Sequence, residues 1–157
     1  MKVANIHASC AMIGRQGVLI LGESGAGKSD LLLRLMDDGA KLVADDRTEL
    51  YVTNGRLMAR APQSIAGLME VRGLGVVAQP FAKSATMAMV VRLGAPERLP
   101  KPAFFEPPPG LARAKAVPLI VLDGRTASAP ARVRLALHAF AKGLIREDFN
   151  APGHKPK

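Results

Sequence analysis

Gly22-Glu23-Ser24-Gly25-Ala26-Gly27-Lys28-Ser29 is a full G-x-x-x-x-G-K-S pattern, and its residue types suit the gripping of polyphosphate. Gly22, Gly25 and Gly27 permit backbone angles and close approaches that a Cβ would block, so successive N–H groups can converge on phosphate oxygens. The anion would then sit at a helix N-terminus, where unpaired amides and roughly half a positive charge of helix dipole assist. Lys28 can reach the outer phosphates and Ser29 can ligate Mg²⁺, so a nucleotide or another polyphosphate is the expected ligand. Lys41-Leu42-Val43-Ala44 runs into Asp45-Asp46, where a phosphoryl-transfer enzyme would hold carboxylates against Mg²⁺ and the reacting oxygens; an Asp pair also makes ordinary turns. Further on, Glu70 and Arg72 stand beside Gly73 and Gly75 in an apolar run, which suits a site loop as well as a bulged strand.

The elements that would position these groups are legible in outline. Val18 to Leu21 reads as the strand leading into the glycine loop. Asp30 to Asp38, with Leu31, Leu32, Leu35 and Met36 at helical spacing and Gly39 after it, reads as the helix leading out. A right-handed strand–helix–strand unit then returns Leu42 to Ala44 beside the first strand, so Asp45 and Asp46 face the loop. Upstream, residues 3 to 6 and 8 to 13 are short strands with a turn at Gly14–Gly17; His7 there fits an edge residue as well as a catalyst. Asn54-Gly55 predicts a hairpin, which makes the sheet mixed. Ala61 to Gly67 predicts a loop or short helix, and Met87 to Val91 another strand. The proline-rich stretch 96–110 predicts an extended surface connection. Val117 to Leu122 predicts a strand ending at Asp123-Gly124-Arg125. Ser128 would then cap a helix over about 130–146 with Val133, Leu137, Phe140 and Leu144 in one stripe and a basic outer face that includes Arg132 and Arg134. Residues 150–157 predict a frayed tail.

A chain of 157 residues is one ordinary α/β domain, folded over 1–149. Its apolar runs are too short to span a bilayer, and the start of the chain has no signal-like core, so no membrane contact is expected. The lone Cys10 makes no internal disulfide, which fits a cytoplasmic setting; it and His138 read as packing or surface residues. The net charge of +9 is uneven: eleven basic and nine acidic residues precede residue 98, eleven and four follow it. That field suits phosphate-bearing or acidic partners. With no Trp, one Tyr and five Phe, and no binding motif, nucleic acid is not an expected partner.

Taken together, His7, the Gly22–Ser29 loop, Leu42-Val-Ala-Asp45-Asp46-Arg47 and Leu68-Met-Glu70-Val-Arg72-Gly73-Leu-Gly75-Val resemble the catalytic domain of HPr kinase/phosphorylase. Members of that family are bacterial serine kinases that phosphorylate the phosphocarrier protein HPr. The resemblance runs from about His7 to Leu144 and thins after Glu97. It implies a P-loop domain with a mixed central sheet flanked by helices, PEP-carboxykinase-like, using ATP and Mg²⁺, commonly as a hexamer in the cytoplasm. Carried onto this chain, it makes His7 and Lys28 active-site groups, with residues 22–29 on the nucleotide. Ser29 and Glu70 would bind metal beside Asp45, and Asp46, with Asp45 next to it, would handle the substrate proton. Residues 68–77, Arg72 among them, would be the loop both reactions need, and Arg125 the distal active-site arginine. The separate N-terminal domain of longer members is not expected. A reverse phosphorolysis of phosphoserine, giving pyrophosphate, is implied less firmly than the kinase reaction. Competing readings are a small-molecule P-loop kinase, for which no arginine-rich lid is visible, and a nucleotide-sensing module, which would not need Asp46.

Overall fold

The computed structural model describes residues 1–146. Strands β1 (Ala4–His7), β2 (Ser9–Ile13) and β3 (Gln16–Leu21) open the chain, followed by helix α1 (Lys28–Asp37). Next come β4 (Lys41–Ala44), the hairpin β5 (Arg47–Thr53) and β6 (Arg56–Arg60), and a 3-10 turn over Gln63–Ile65. A second hairpin, β7 (Leu68–Val71) and β8 (Gly75–Ala78), precedes β9 (Ala85–Leu93), β10 (Leu119–Leu122) and helix α2 (Ala129–Lys142). Asn54 and Gly55 both take positive φ, 53° and 73°, as the Asn-Gly turn requires.

The main sheet has the order β1-β5-β6-β9-β3-β2-β4, and β10 joins the other edge of β9. It is mixed, as expected. β9 runs parallel to both β3 and β10, while β2 is antiparallel to β3 on one side and β4 on the other. It follows that β3, β4, β9 and β10 all point the same way and end at one end of the sheet. Loops that leave the C-terminal ends of such strands are where α/β sheets build their sites. Here those loops begin at Gly22, Asp45, Gly94 and Asp123.

The two sheet faces bury different clusters, because side chains alternate along each strand. Val18, Ile20, Met89 and Val91 pack under Leu31, Leu32 and Leu35 of α1 and Val133 and Leu137 of α2. Leu19, Val43, Leu50, Leu57 and Val90 face the opposite way. Both helices therefore lie on one face, so the expected flanking by helices holds for that face alone. The proline-rich segment and the residues after it cover much of the other: Leu111 and Val117 are buried there and Phe105 packs against them. Its expected role as a bare surface connection is corrected accordingly, because a segment poor in N–H donors can still supply apolar side chains to a sheet face.

α2 ends earlier than the sequence suggests. Gly143 takes a left-handed φ of 65°, the Leu144 N–H closes on the Ala139 carbonyl at 2.9 Å, and Leu144 is exposed. The apolar stripe thus stops at Phe140. Ser128 does precede the helix, but its backbone is already helical (φ −84°, ψ 0°), so its hydroxyl does not cap the helix and instead accepts a hydrogen bond from Arg132 Nε at 2.9 Å. The tail from 150 lies outside the described residues. Cys10 is fully buried, and burial pushes its thiol pKa far up, so it is an inert core group.

Where β3 crosses β9 the ladder carries a bulge between Gly17 and Val18, and the strands come very close. A Cβ on Gly17 would lie 2.3 Å from Met87 Cε and 2.8 Å from the Thr86 carbonyl oxygen. The methionine can swing away, but the carbonyl belongs to a central strand. Gly17→Ala is expected to cost about 1–3 kcal/mol, read as a lowered urea midpoint. A loss below about 0.5 kcal/mol, the range of a neutral surface change, would show that the ladder can yield.

Candidate active site

Gly22 leaves β3 against Leu93 and Ala26, with room for no side chain: a Cβ would meet Ala26 Cβ at 3.1 Å and Leu93 Cβ at 3.3 Å. The loop then turns on itself through the Ala26 N–H to the Glu23 carbonyl at 3.0 Å. Gly25 (φ 82°) and Gly27 (φ 100°) occupy the left-handed region, and a Cβ on either would meet nothing within 4 Å. The open side of the loop is thus lined by backbone, as an anion cradle needs. The first-turn amides of α1 have no intrahelical carbonyl to bond. Lys28 is buried, and its Nζ donates to the carbonyls of Gly22 at 2.7 Å and Glu23 at 3.1 Å, which fixes the ammonium under the loop.

Asp45 leaves β4 at the same end and is buried at 8% exposure. Its Oδ1 accepts from Ser29 Oγ at 2.7 Å and from Ser9 Oγ at 3.3 Å, and its Oδ2 accepts from the Glu70 N–H at 3.3 Å. These contacts follow from strand register. β2 lies between β3 and β4 and pairs Cys10 with Ala44, which sets Ser9 next to Asp45. Asp46, one residue on, has a φ of 68°, a backbone state that aspartate tolerates better than most residues. Its N–H donates to Ser9 Oγ at 3.1 Å and its carboxylate meets His7 Nε2 at 2.6 Å. His7 pairs with Arg47 in the β1–β5 ladder, which carries it to that side chain. The two aspartates therefore differ: Asp45 is buried and tied by three donors, while the Asp46 side chain is 65% exposed and free to face a second molecule.

Glu70 joins the cluster by its backbone. Met69 beside it is buried in the core, so alternation along β7 turns the Glu70 side chain outward, where it is exposed. Among the described residues no three His, Cys, Asp or Glu side chains form a metal-holding group. Ser29 and Asp45 do present hard oxygens of the kind Mg²⁺ takes, 2.7 Å apart. Arg72 is exposed at the turn of the second hairpin, where Gly73 (φ 90°) and Gly75 (φ 97°) reverse the chain. Arg125 does reach the loop: its Nη2 donates to the Gly25 carbonyl at 3.1 Å. Glu23 and Ser24 are exposed at the loop's outer rim.

Ser9 and Arg34 are the site neighbours that the sequence does not announce. Ser9 is fully buried and bridges both aspartates. Its one signal is its place two residues after His7. Arg34 pairs with Asp30 at 3.0 Å as any exposed helix pair would, yet it also donates to carbonyls beyond β10.

A family model described as the HPr serine kinase C-terminal domain matches residues 1–94. The chain belongs to that family. The match stops where the resemblance was expected to thin. HPr kinase/phosphorylase of Limosilactobacillus reuteri (strain DSM 20016) is 43% identical over 74 residues, 46% of this chain and 23% of that protein. The namesake from Clostridium tetani is 45% identical over 64 residues, 41% of this chain and 21% of that protein. The chain thus spans under a quarter of the length of these relatives. The Hpr(Ser) kinase/phosphatase structure from Coxiella burnetii superposes with a TM-score of 0.73 at 26% identity, covering 90% of this chain and 98% of that one. The mixed α/β fold with few helices is common to both. Among the described residues, no helix is long and apolar enough to cross a membrane.

Proposed function

We propose that this domain transfers the γ-phosphoryl group of ATP to a serine on an HPr-like carrier protein, in the cytoplasm. What chiefly supports it is the convergence of a backbone-lined glycine loop and buried Lys28 with two aspartates of unlike environment at one sheet end. This reading treats Gly22–Ser29 as a phosphate-binding loop and the sheet as PEP-carboxykinase-like. Transfer forms a bond from the serine Oγ to phosphorus and breaks the bond to the β-phosphate bridging oxygen, releasing ADP. Asp46, exposed and hydrogen-bonded to His7, takes the hydroxyl proton; His7 and Ser9 hold it in place. Ser29 and Asp45 would hold Mg²⁺, which when bound screens charge on the phosphate oxygens, with Glu70 close by through its backbone. Lys28 and Arg125 supply fixed positive charge at the loop. Run in reverse, protonated Asp46 returns the proton to the departing seryl oxygen while inorganic phosphate attacks, giving pyrophosphate. Leu74 and Val76 stand exposed on the hairpin that carries Glu70, a surface suited to a protein substrate. The catalytic unit is read as a homo-oligomer, a hexamer by family resemblance.

Intact-mass spectrometry tests this directly. Incubation with Mg-ATP and purified HPr is expected to add one phosphoryl group to a single serine. A chain that binds ATP and leaves HPr and small-molecule acceptors unmodified would be a nucleotide sensor, and the kinase reading would fall.

A further inference from the structure

Arg125 is exposed and sits on a turn, so something must hold that turn over the loop. Two things do. Gly124 is buried and packs flat against Leu93, the residue that also contacts Gly22; a Cβ on Gly124 would lie 2.9 Å from Leu93 Cδ2. From the other side, Arg34 of α1 donates from Nη1 to the Thr126 carbonyl at 3.0 Å and from Nη2 to the Gly124 carbonyl. Those are the carbonyls on either side of Arg125. The guanidinium is itself aimed by its Nε, which lies 3.0 Å from Asp30 Oδ2 one helical turn back. Within the turn, the Arg125 N–H donates to Asp123 Oδ1 at 3.0 Å, leaving its side chain to reach Gly25.

We propose that Arg34 is a positioning residue: its planar fork bridges the carbonyls of Gly124 and Thr126 to α1 and so sets where the Arg125 guanidinium stands over the glycine loop. α1 begins at that same loop, so one rigid helix carries both the cradle and the strut that aims the arginine across it. Lysine could not substitute, because a single ammonium cannot span two carbonyls and a carboxylate in the geometry of the fork. The catalytic consequence rests on the reading of Arg125 given above; the structural consequence does not.

Two measurements separate them. Amide hydrogen exchange reports the strut without any activity. Arg34→Gln is expected to speed exchange of the Arg125 and Thr126 amides about tenfold or more, while the α1 and β3 amides hold, because local opening of the turn becomes cheaper. Unchanged exchange would overturn the proposal. In transfer from Mg-ATP to HPr, Arg34→Gln is expected to lower kcat about 10- to 100-fold with KM for ATP within about threefold, since a misplaced group costs rate more than binding. Arg34→Lys is expected to recover little. The double variant Arg34→Gln/Arg125→Ala is expected to be no slower than Arg125→Ala alone, because Arg34 acts only through Arg125. Additive losses, or wild-type kcat in Arg34→Gln alongside an impaired Arg125→Ala, would overturn it. Wild-type transfer by Arg125→Ala would instead remove Arg125 from the proposed reaction and leave the exchange result standing. Should Arg34→Gln fold poorly, Asp30→Asn loosens the same strut and is expected to show the same nested loss at smaller size; no loss from it would count against the strut.

Discussion

Replacing Asp46 by asparagine is expected to cut phosphoryl transfer to serine about 10²- to 10⁴-fold, the contribution of a placed general base, and to leave the fold and ATP affinity nearly unchanged. Asparagine is the closest substitute on every structural count. It tolerates the left-handed backbone at φ 68° as aspartate does, keeps the N–H that donates to Ser9 Oγ, and can still hydrogen-bond His7. What it lacks is a basic oxygen for the attacking hydroxyl's proton. Asp45→Asn makes a useful contrast, because Asp45 is buried among three donors and its amide would turn at least one N–H toward them. That variant is expected to lose stability and metal dependence together, whereas Asp46→Asn loses the chemical step alone. The checks are single-turnover transfer to HPr, titration with a fluorescent ATP analogue, and a thermal melt. Transfer within about threefold of wild type in Asp46→Asn, far short of a general base's contribution, would remove Asp46 as the base and leave the domain without one on this page.

The glycine loop, the helix behind it and the Asn-Gly hairpin were readable because each is a local pattern: angles that glycine permits, a 3.6-residue apolar stripe, a two-residue turn. The direction of β4 was readable too, since a strand–helix–strand unit leaves little choice. Ser9 was not, because its hydroxyl matters through pairing across β2 and β4, with a register shift between Cys10 and Ala11 that no spacing in the sequence encodes. The division of labour between Asp45 and Asp46 was likewise hidden: adjacent identical residues acquired unlike burial because one ends a central strand and the next begins the turn away from it. Arg34 looked like half of a common helix-surface pair, and its second set of contacts lies some ninety residues downstream. The proline-rich segment misled for a different reason. Proline reports on backbone hydrogen bonding and says little about where the intervening Phe105 and Leu111 side chains go.

Lys28→Met should have the other large effect, and it isolates the ammonium from its stem. Lys28 is almost fully buried with no carboxylate partner among its hydrogen bonds; its Nζ is held by two neutral carbonyls, those of Gly22 and Glu23. A cation kept there costs desolvation that two carbonyls offset only in part, and an anion in the loop above it would complete the compensation. Methionine fills the same channel with an apolar stem, so α1 and its core contacts through Leu31 and Leu32 are retained. The two loop carbonyls lose a donor, which costs about 1–3 kcal/mol when they stay buried and is relieved if the loop opens to water. The expected outcome is a modest fall in thermal midpoint, ATP affinity weakened at least tenfold, and transfer reduced about 10²- to 10³-fold, the scale of removing a charge aimed at a developing anion. Lys28→Arg is expected to fail almost as badly, because a planar guanidinium does not fit a niche that two carbonyls set for a compact ammonium. If Lys28→Met binds the ATP analogue as tightly as wild type, the buried ammonium is a structural pin for Gly22 and Glu23, and the polyphosphate reading of the loop loses its strongest support.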